Sequence, residues 1–279
     1  MIGVIGLGLI GGSMAKALHQ NTDHQVYGYD INETVMLKAK MVNAMEDILT
    51  LDMLPHCDLV IIALYPEATV EFIRKNQAGF KEGAIVLDCC GVKRTVCREG
   101  EELAKKNNFI FMGGHPMAGL EHAGFEYAKR ALFDNASMVL TPAKKTPIQV
   151  VEKVKRLCAS IGFSNIQIAT PEEHDRMIAF TSQLAHVVSS AYVKSPAAMD
   201  HHGFSAGSYR DLSRVAKLNE EMWTELFLDN PDFLADEVDG MIQRLTRYRD
   251  AIKGGDKEEL HALLKDGRLR KEEIDKEKF

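Results

Sequence analysis

The chain has 279 residues, 46% of them apolar and 27% charged, with a net charge of −6. That length suits one large domain or two modest ones and is ample for a sizeable core. The acidic balance gives no reason to expect nucleic acid or an anionic membrane as a partner.

The amino terminus, MIGVIGLGLIGGSMAKAL, has no basic stretch before its apolar residues, and glycines interrupt it at regular spacing. It reads as neither a signal peptide nor a membrane span, so a cytoplasmic protein is expected. Cys57, Cys89, Cys90, Cys97 and Cys158 are odd in number and scattered. That usage fits reduced thiols. Cys89 and Cys90 are neighbours, and neighbours on a strand point to opposite faces. No metal site is expected.

IGVIGL predicts a first strand and GGSMAKALHQN a helix. Between them, Gly6, Gly8 and Gly11 form G-x-G-x-x-G. In this strand-to-helix setting the first glycine permits the tight turn, the second lets the backbone approach a pyrophosphate, and the third allows close helix packing. The phosphates would meet Leu7, Leu9 and Ile10 at the helix N-terminus. QVYGYD is the next strand and ends on Asp30. A carboxylate there accepts hydrogen bonds from ribose hydroxyls and repels a 2′-phosphate. No lysine or arginine follows before Lys38, so the expected cofactor is NAD.

DLVIIAL, AIVLDCC, FIFMG, SMVLTP and NIQIAT continue the strand series. Nearly continuous apolar strands alternating with helices predict an α/β Rossmann-type, doubly wound parallel sheet. Leu64, Tyr65 and Pro66 leave one strand toward the crevice. They either touch the cofactor or serve as plain loop packing. FIFMG runs into GGHPMAGLEHAG, residues 113–124. His115 there sits in a small-residue loop on the same sheet edge as the glycine turn. Histidine titrates near neutrality, so it can take a hydroxyl proton as hydride leaves the same carbon.

The character changes at residue 170. Thr170, Pro171 and Glu173 predict a capping box with proline at the first helical position, opening a helix to about Ser195. Helical patterning resumes over 208–253, and strand signals are absent. This gives two domains: a nucleotide-binding domain over 1–170 and an all-α domain over 171–279, its helices shared between subunits. Residues 254–279 read as a solvated terminal helix or a frayed tail. His186 shares a helix face with Ser182, which either lines a ligand or allows close packing. Arg214 is either a fixed cation oriented by Asp211 or an ordinary surface ion pair.

These residues carry a resemblance. HPMAGLEHAG is similar to the H-P-M-x-G-x-E-x-x-G signature of the prephenate and arogenate dehydrogenase family. DCCGVK (88–93), TSQLAH (181–186) and GSYRDLSRVAKLNEEMW (207–223) resemble its other motifs, in the same order. The resemblance implies a helical dimerisation domain, a homodimer, and NAD-dependent oxidative decarboxylation of prephenate or arogenate. It implies that His115 is the catalytic base, that Arg214 holds a substrate carboxylate, and that Glu121 pairs with Arg214 as a gate. It places His186, Trp223, Gly91 and Lys93 in the substrate pocket. Two departures stand out: Gly91 replaces the family's serine, and Gln183 stands where histidine is common. The chain ends too early for the regulatory ACT domain of some relatives. His122 matches no role and reads as a surface residue. A 3-hydroxyacid dehydrogenase would call for a lysine on the long helix, and Lys194 is placed only at its end. A non-catalytic NAD-sensing module is the reading outside enzymes.

Overall fold

The computed structural model describes residues 1–201, 203–204 and 206–276. The first part alternates strands and helices: β1 (Ile2–Ile5), α1 (Leu9–Asn21), β2 (Val26–Tyr29), α2 (Glu33–Met41), β3 (Asp47–Ile48), β4 (Leu59–Ile62) and α3 (Pro66–Asn76). It continues with β5 (Ile85–Asp88), α4 (Arg94–Asn107), β6 (Ile110–Met117), β7 (Ser137–Pro142), α5 (Ile148–Ser160) and β8 (Asn165–Ile168). The strands form one sheet in the order β3-β2-β1-β4-β5-β6-β7-β8.

β1, β4 and β5 are buried along their whole length, because helices cover both faces. Val4, Ile61 and Leu87 meet Met14 and Leu18 of α1 and Val154 of α5 on one face. Ile5, Val60, Ile62 and Val86 meet Ile73 of α3 and Val96 of α4 on the other. Chain reversal in strand order beside β1 opens a crevice at the carboxyl edge, where such sheets bind ligands.

The sheet departs from the expected all-parallel form at β7. β6 pairs in parallel with β5 only over Ile110–Met112. From Met112 onward it pairs antiparallel with β7, with His115 opposite Val139. His115 therefore lies on a strand and not in the expected loop, because β7 supplies a ladder for the whole of GGHPM. The neighbouring glycines answer to packing: a Cβ at Gly113 would stand 2.0 Å from Thr141 Oγ1, and one at Gly114 would stand 2.6 Å from the Asp88 carbonyl. β3, two residues long, has too little pattern to be seen in sequence.

Helices follow: α6 (Pro171–Ile178), α7 (Ala185–Tyr192), α8 (Gly207–Ser213), α9 (Glu220–Leu228), α10 (Pro231–Gly254) and α11 (Lys257–Lys276). α6 starts in the expected capping box, Thr170 and Glu173 each bonding the other's backbone N–H. One helix to Ser195 was expected; instead a π-helical turn over Ala179–Leu184 joins α6 to α7, which ends at Tyr192. The chain forms two compact units, Met1–Pro231 and Asp232–Phe279. Residues 171–231 thus lie in the same compact unit as the sheet. In the second unit, Arg247 pairs with Glu259 at 2.7 Å, and the Tyr248 hydroxyl donates to the Leu263 carbonyl. α11 is a helix through Lys276, not a frayed end.

Candidate active site

The turn after β1 is a cradle. Gly6 has φ +82°, and a Cβ there would stand 2.6 Å from the Ala63 carbonyl and 2.7 Å from Leu64 Cδ2. At Gly8 a Cβ would meet no atom within 4 Å, so the backbone faces open space. α1 has no side-chain cap and no acid in its first turn. The N–H groups of Leu9, Ile10 and Gly11 are left for an anion, as a pyrophosphate requires. Leu7 contributes only its backbone, since its side chain is in the core. Asp30 Oδ2 accepts from the Leu7 N–H at 2.8 Å and Oδ1 from the Asn32 N–H at 2.9 Å. That holds the carboxylate at the cradle's rim. Leu64 packs over Gly6, Tyr65 is 45% exposed at the start of α3, and Pro66 is buried in the first turn. These residues fit a dinucleotide.

β6 brings His115 to the same edge. Its Nδ1 lies 2.8 Å from His174 Nε2, and His174 Nδ1 lies 2.7 Å from Asp175 Oδ1. Asp175 Oδ1 also accepts from the Lys93 N–H at 2.7 Å, and Oδ2 from the Arg94 N–H at 2.9 Å. It thereby caps α4, which has no side-chain cap from its own Lys93. A carboxylate receiving these N–H groups is an acceptor, so His174 Nδ1 donates to it. His174 Nε2 is then the acceptor for His115 Nδ1–H. This leaves the lone pair of His115 on Nε2. A Cβ at Gly91 would lie 4.0 Å from that nitrogen and 3.4 Å from Leu226 Cδ2. Nε2 and Leu226 thus both border the space that a side chain at Gly91 would fill.

Burial holds the His115 pKa well below the usual histidine value, and the positive ends of His174 and Lys93 add to this. His174 is also lowered by burial, against the opposing pull of its bond to Asp175. Both rings are neutral at pH 7. The residues His174, Asp175 and Leu226 were not singled out in the sequence. Their only local signal is an E-H-D run at a helix start, which looks like an acidic helix cap.

Lys93 requires a correction. It was placed in the substrate pocket by resemblance, but its side chain is fully buried and paired with the equally buried Asp88. Burial opposes its charge, yet the Asp88 carboxylate outweighs that and raises its pKa. Asp88 also accepts from the Cys90 and Gly114 N–H groups. Lys93 fixes the ends of β5 and β6 and does not reach the crevice.

A second cluster lies on the helical side. Arg214 begins a short 3-10 turn after α8. Its Nη1 lies 3.5 Å from Glu121 Oε1, the pairing the resemblance implies, rather than against Asp211, the partner helix spacing suggested. The rings of His186 and Trp223 stack with centroids 3.8 Å apart. His186 Nδ1 donates to the Ser182 carbonyl at 2.8 Å, in the π-helical turn. Trp223 and Leu226 are one turn apart on α9, so a single helix links this cluster to the Gly91 space. Buried Gln183 anchors that helix: it donates to the Leu226 carbonyl and accepts from Asn230, each at 2.7 Å. At the other end, Glu225 Oε1 accepts from the Glu67 N–H at 2.6 Å. His122 is exposed but stacks on Tyr127 at 4.7 Å. Lys194 is exposed beyond the end of α7, which disfavours the 3-hydroxyacid reading.

A dinucleotide cradle and a buried histidine on one sheet edge fit an NAD-dependent oxidoreductase. Residues 14–166 match the family described as prephenate dehydrogenase, nucleotide-binding domain, and residues 170–266 match prephenate dehydrogenase, dimerization domain. The chain belongs to the prephenate dehydrogenase family. It is 30% identical to a prephenate dehydrogenase of Bacillus subtilis, over 93% of this chain and 72% of that one. It is 30% identical to a cyclohexadienyl dehydrogenase of Zymomonas mobilis, over 91% and 89%. The crystal structure of A. aeolicus prephenate dehydrogenase, in complex with hydroxyphenyl propionate and NAD+, superposes with a TM-score of 0.87 at 29% identity, covering 98% of this chain and 97% of that one. Among the described residues, no helix is long and apolar enough to cross a membrane.

Proposed function

We propose that the protein oxidises prephenate to 4-hydroxyphenylpyruvate with loss of CO2. The observation that carries this is the orientation of His115: its basic Nε2 faces the Gly91 space on the edge that holds the dinucleotide cradle. Gly6, Gly8, Gly11 and Asp30 hold the cofactor. Bound NAD supplies the hydride acceptor. His115 Nε2 takes the proton of the ring hydroxyl while hydride leaves the same carbon. Loss of the ring carboxylate as CO2 then aromatises the ring. Arg214 holds a substrate carboxylate as a planar cation, and Glu121 is its partner when no substrate is present. His186 and Trp223 form the pocket wall on α9's side. Residues 171–279 supply Arg214, His186 and Trp223 and, with a second copy of the chain, a homodimer interface.

The test is incubation of the purified protein with NAD and prephenate, following NADH absorbance. No NADH with prephenate or arogenate would sink this reading and favour a sensing role. A second reading is supported by the Zymomonas relative, whose name covers cyclohexadienyl substrates. It predicts that arogenate is oxidised to tyrosine at a comparable kcat/KM, which side-by-side kinetics with both substrates decides.

A further inference from the structure

Among the described residues, His115 has a hydrogen-bond partner on only one of its two nitrogens, Nδ1. On the Nε2 side, Gly91 offers no side chain, and Leu226 offers only methyl groups. On the Nδ1 side stands His174, and behind it Asp175. His174 and Asp175 are 3% and 0% exposed. Both are thus shielded from solvent, and His174 bonds His115 directly.

We propose that His174, not His115, holds the proton taken from the substrate, with Asp175 as its counter-charge. The inference rests on the dehydrogenase reading above. The steps balance as follows. The substrate O–H bond breaks, and a bond forms between that proton and His115 Nε2. The His115 Nδ1–H bond breaks, and that proton bonds to His174 Nε2. The hydride leaves the same carbon for the bound cofactor. The single positive charge ends on His174, in contact with the Asp175 carboxylate. After product release the proton returns through His115 to solvent.

The charge has a reason to move. At His115 it would face the apolar Leu226, with Lys93 nearby and no anion in contact. At His174 it meets Asp175 at 2.7 Å. The charged or titratable groups around His174 are His115 on β6, Lys93 and Arg94 at the start of α4, Asp88 at the end of β5, and Asp175 on its own helix. Lys93 is paired with Asp88, and Arg94 Nε lies 3.4 Å from the far oxygen of Asp175, Oδ2. Asp175 is thus the anion in direct contact with the ring. The pKa directions agree: both rings are lowered by burial, but only His174 has a carboxylate bond raising it. The arrangement also explains how the site works with glycine at position 91. The base is oriented from behind, by His174, and needs no hydroxyl in front.

Nitrogen-15 NMR of the histidine rings in the full chain tests this without turnover. On acidification His174 is expected to take up a proton before His115, and His115 is expected to carry its neutral proton on Nδ1. First protonation at His115, or a neutral proton on its Nε2, would overturn the proposal. The kinetic test is His174→Gln, whose side-chain oxygen still accepts from His115 and whose amide still donates to Asp175. This keeps orientation but removes the proton acceptor. The expected result is a fall in kcat on the order of 10- to 100-fold, little change in KM for prephenate, and an acid limb of kcat/KM moved to lower pH. Near-parental kcat with an unmoved limb means His174 only positions, and the proposal fails. Parental enzyme that makes no NADH from either cyclohexadienyl substrate is a separate failure, that of the dehydrogenase reading.

Discussion

Trp223 and His186 lie face to face, with ring planes 30° apart. Trp223 is the only tryptophan in the chain, so its emission reports this site, where His186 is the titratable ring stacked on it. Burial lowers the His186 pKa, the Ser182 carbonyl opposes that, and Arg214 reinforces it. An imidazolium against indole quenches it. Emission is therefore expected to fall on acidification with a midpoint below the ordinary histidine value, and His186→Asn should abolish the transition. A midpoint above that value would contradict the packing described.

His115→Asn removes the base but leaves the cradle at Gly6, Gly8 and Asp30 intact. Turnover with prephenate is expected to fall about 10²- to 10⁴-fold. NAD affinity, measured by calorimetry, should stay within about twofold, since the substituted ring lies outside the cradle. Near-normal turnover would remove His115 from the mechanism.

Gly91→Ser puts a hydroxyl into the space before His115 Nε2. The added Cβ would meet Leu226 at 3.4 and 3.6 Å, which is ordinary contact, so the melting temperature should hold. A new hydrogen bond to the substrate hydroxyl is worth about 0.5–1.5 kcal/mol. That corresponds to a gain of about 2- to 10-fold in kcat/KM. A large drop in melting temperature would show that the space is not open.

Arg214→Gln removes the exposed cation paired with Glu121. A charged hydrogen bond to a carboxylate is worth about 1.5–3 kcal/mol, so the KM for prephenate should rise about 10- to 100-fold while kcat changes little. An unchanged KM would make Arg214 an ordinary surface ion.

The histidine pair also shapes stability. His115 and His174 are both lowered in the folded state. The unfolded chain therefore binds protons that the folded chain refuses, and stability falls as pH drops below the unfolded histidine pKa. Each such group adds a slope of about 1.4 kcal/mol per pH unit until its folded pKa is reached. Urea unfolding between pH 7 and 5 should show this fall. It should be shallower in the His115→Asn, His174→Gln double variant, and an equal slope in both proteins would argue against neutral buried rings.

Much of this was readable in the sequence where the controlling interaction is local. The glycine turn, Asp30 at a strand end, and the Thr170–Glu173 box each need only a few neighbouring residues. The relay behind His115 was hidden because its partner lies 59 positions away, and E-H-D at a helix start looks like a solvated cap. The strand position of His115 depends on β7, whose direction no local pattern encodes. Lys93 entered the pocket only through the resemblance of DCCGVK, whereas its buried carboxylate partner is visible only in three dimensions. Gly113 and Gly114 are likewise explained only in three dimensions, by Thr141 and the Asp88 carbonyl packed against them.

Asp175 lies on α6 yet caps α4 and supports a base on β6. The base and its support therefore come from opposite sides of the composition change at residue 170. Recombining halves of two relatives at that point would join one parent's β6 and α4 to the other's His174 and Asp175. Such hybrids should fold yet misplace the imidazole. Asn230, which donates to the Asp175 carbonyl at 2.9 Å and accepts from Arg94 at 2.8 Å, extends the dependence to the start of α10. Crossovers that spare activity belong after Pro231, where the first compact unit ends. A functional hybrid is thus expected to inherit residues 1–231 from a single parent.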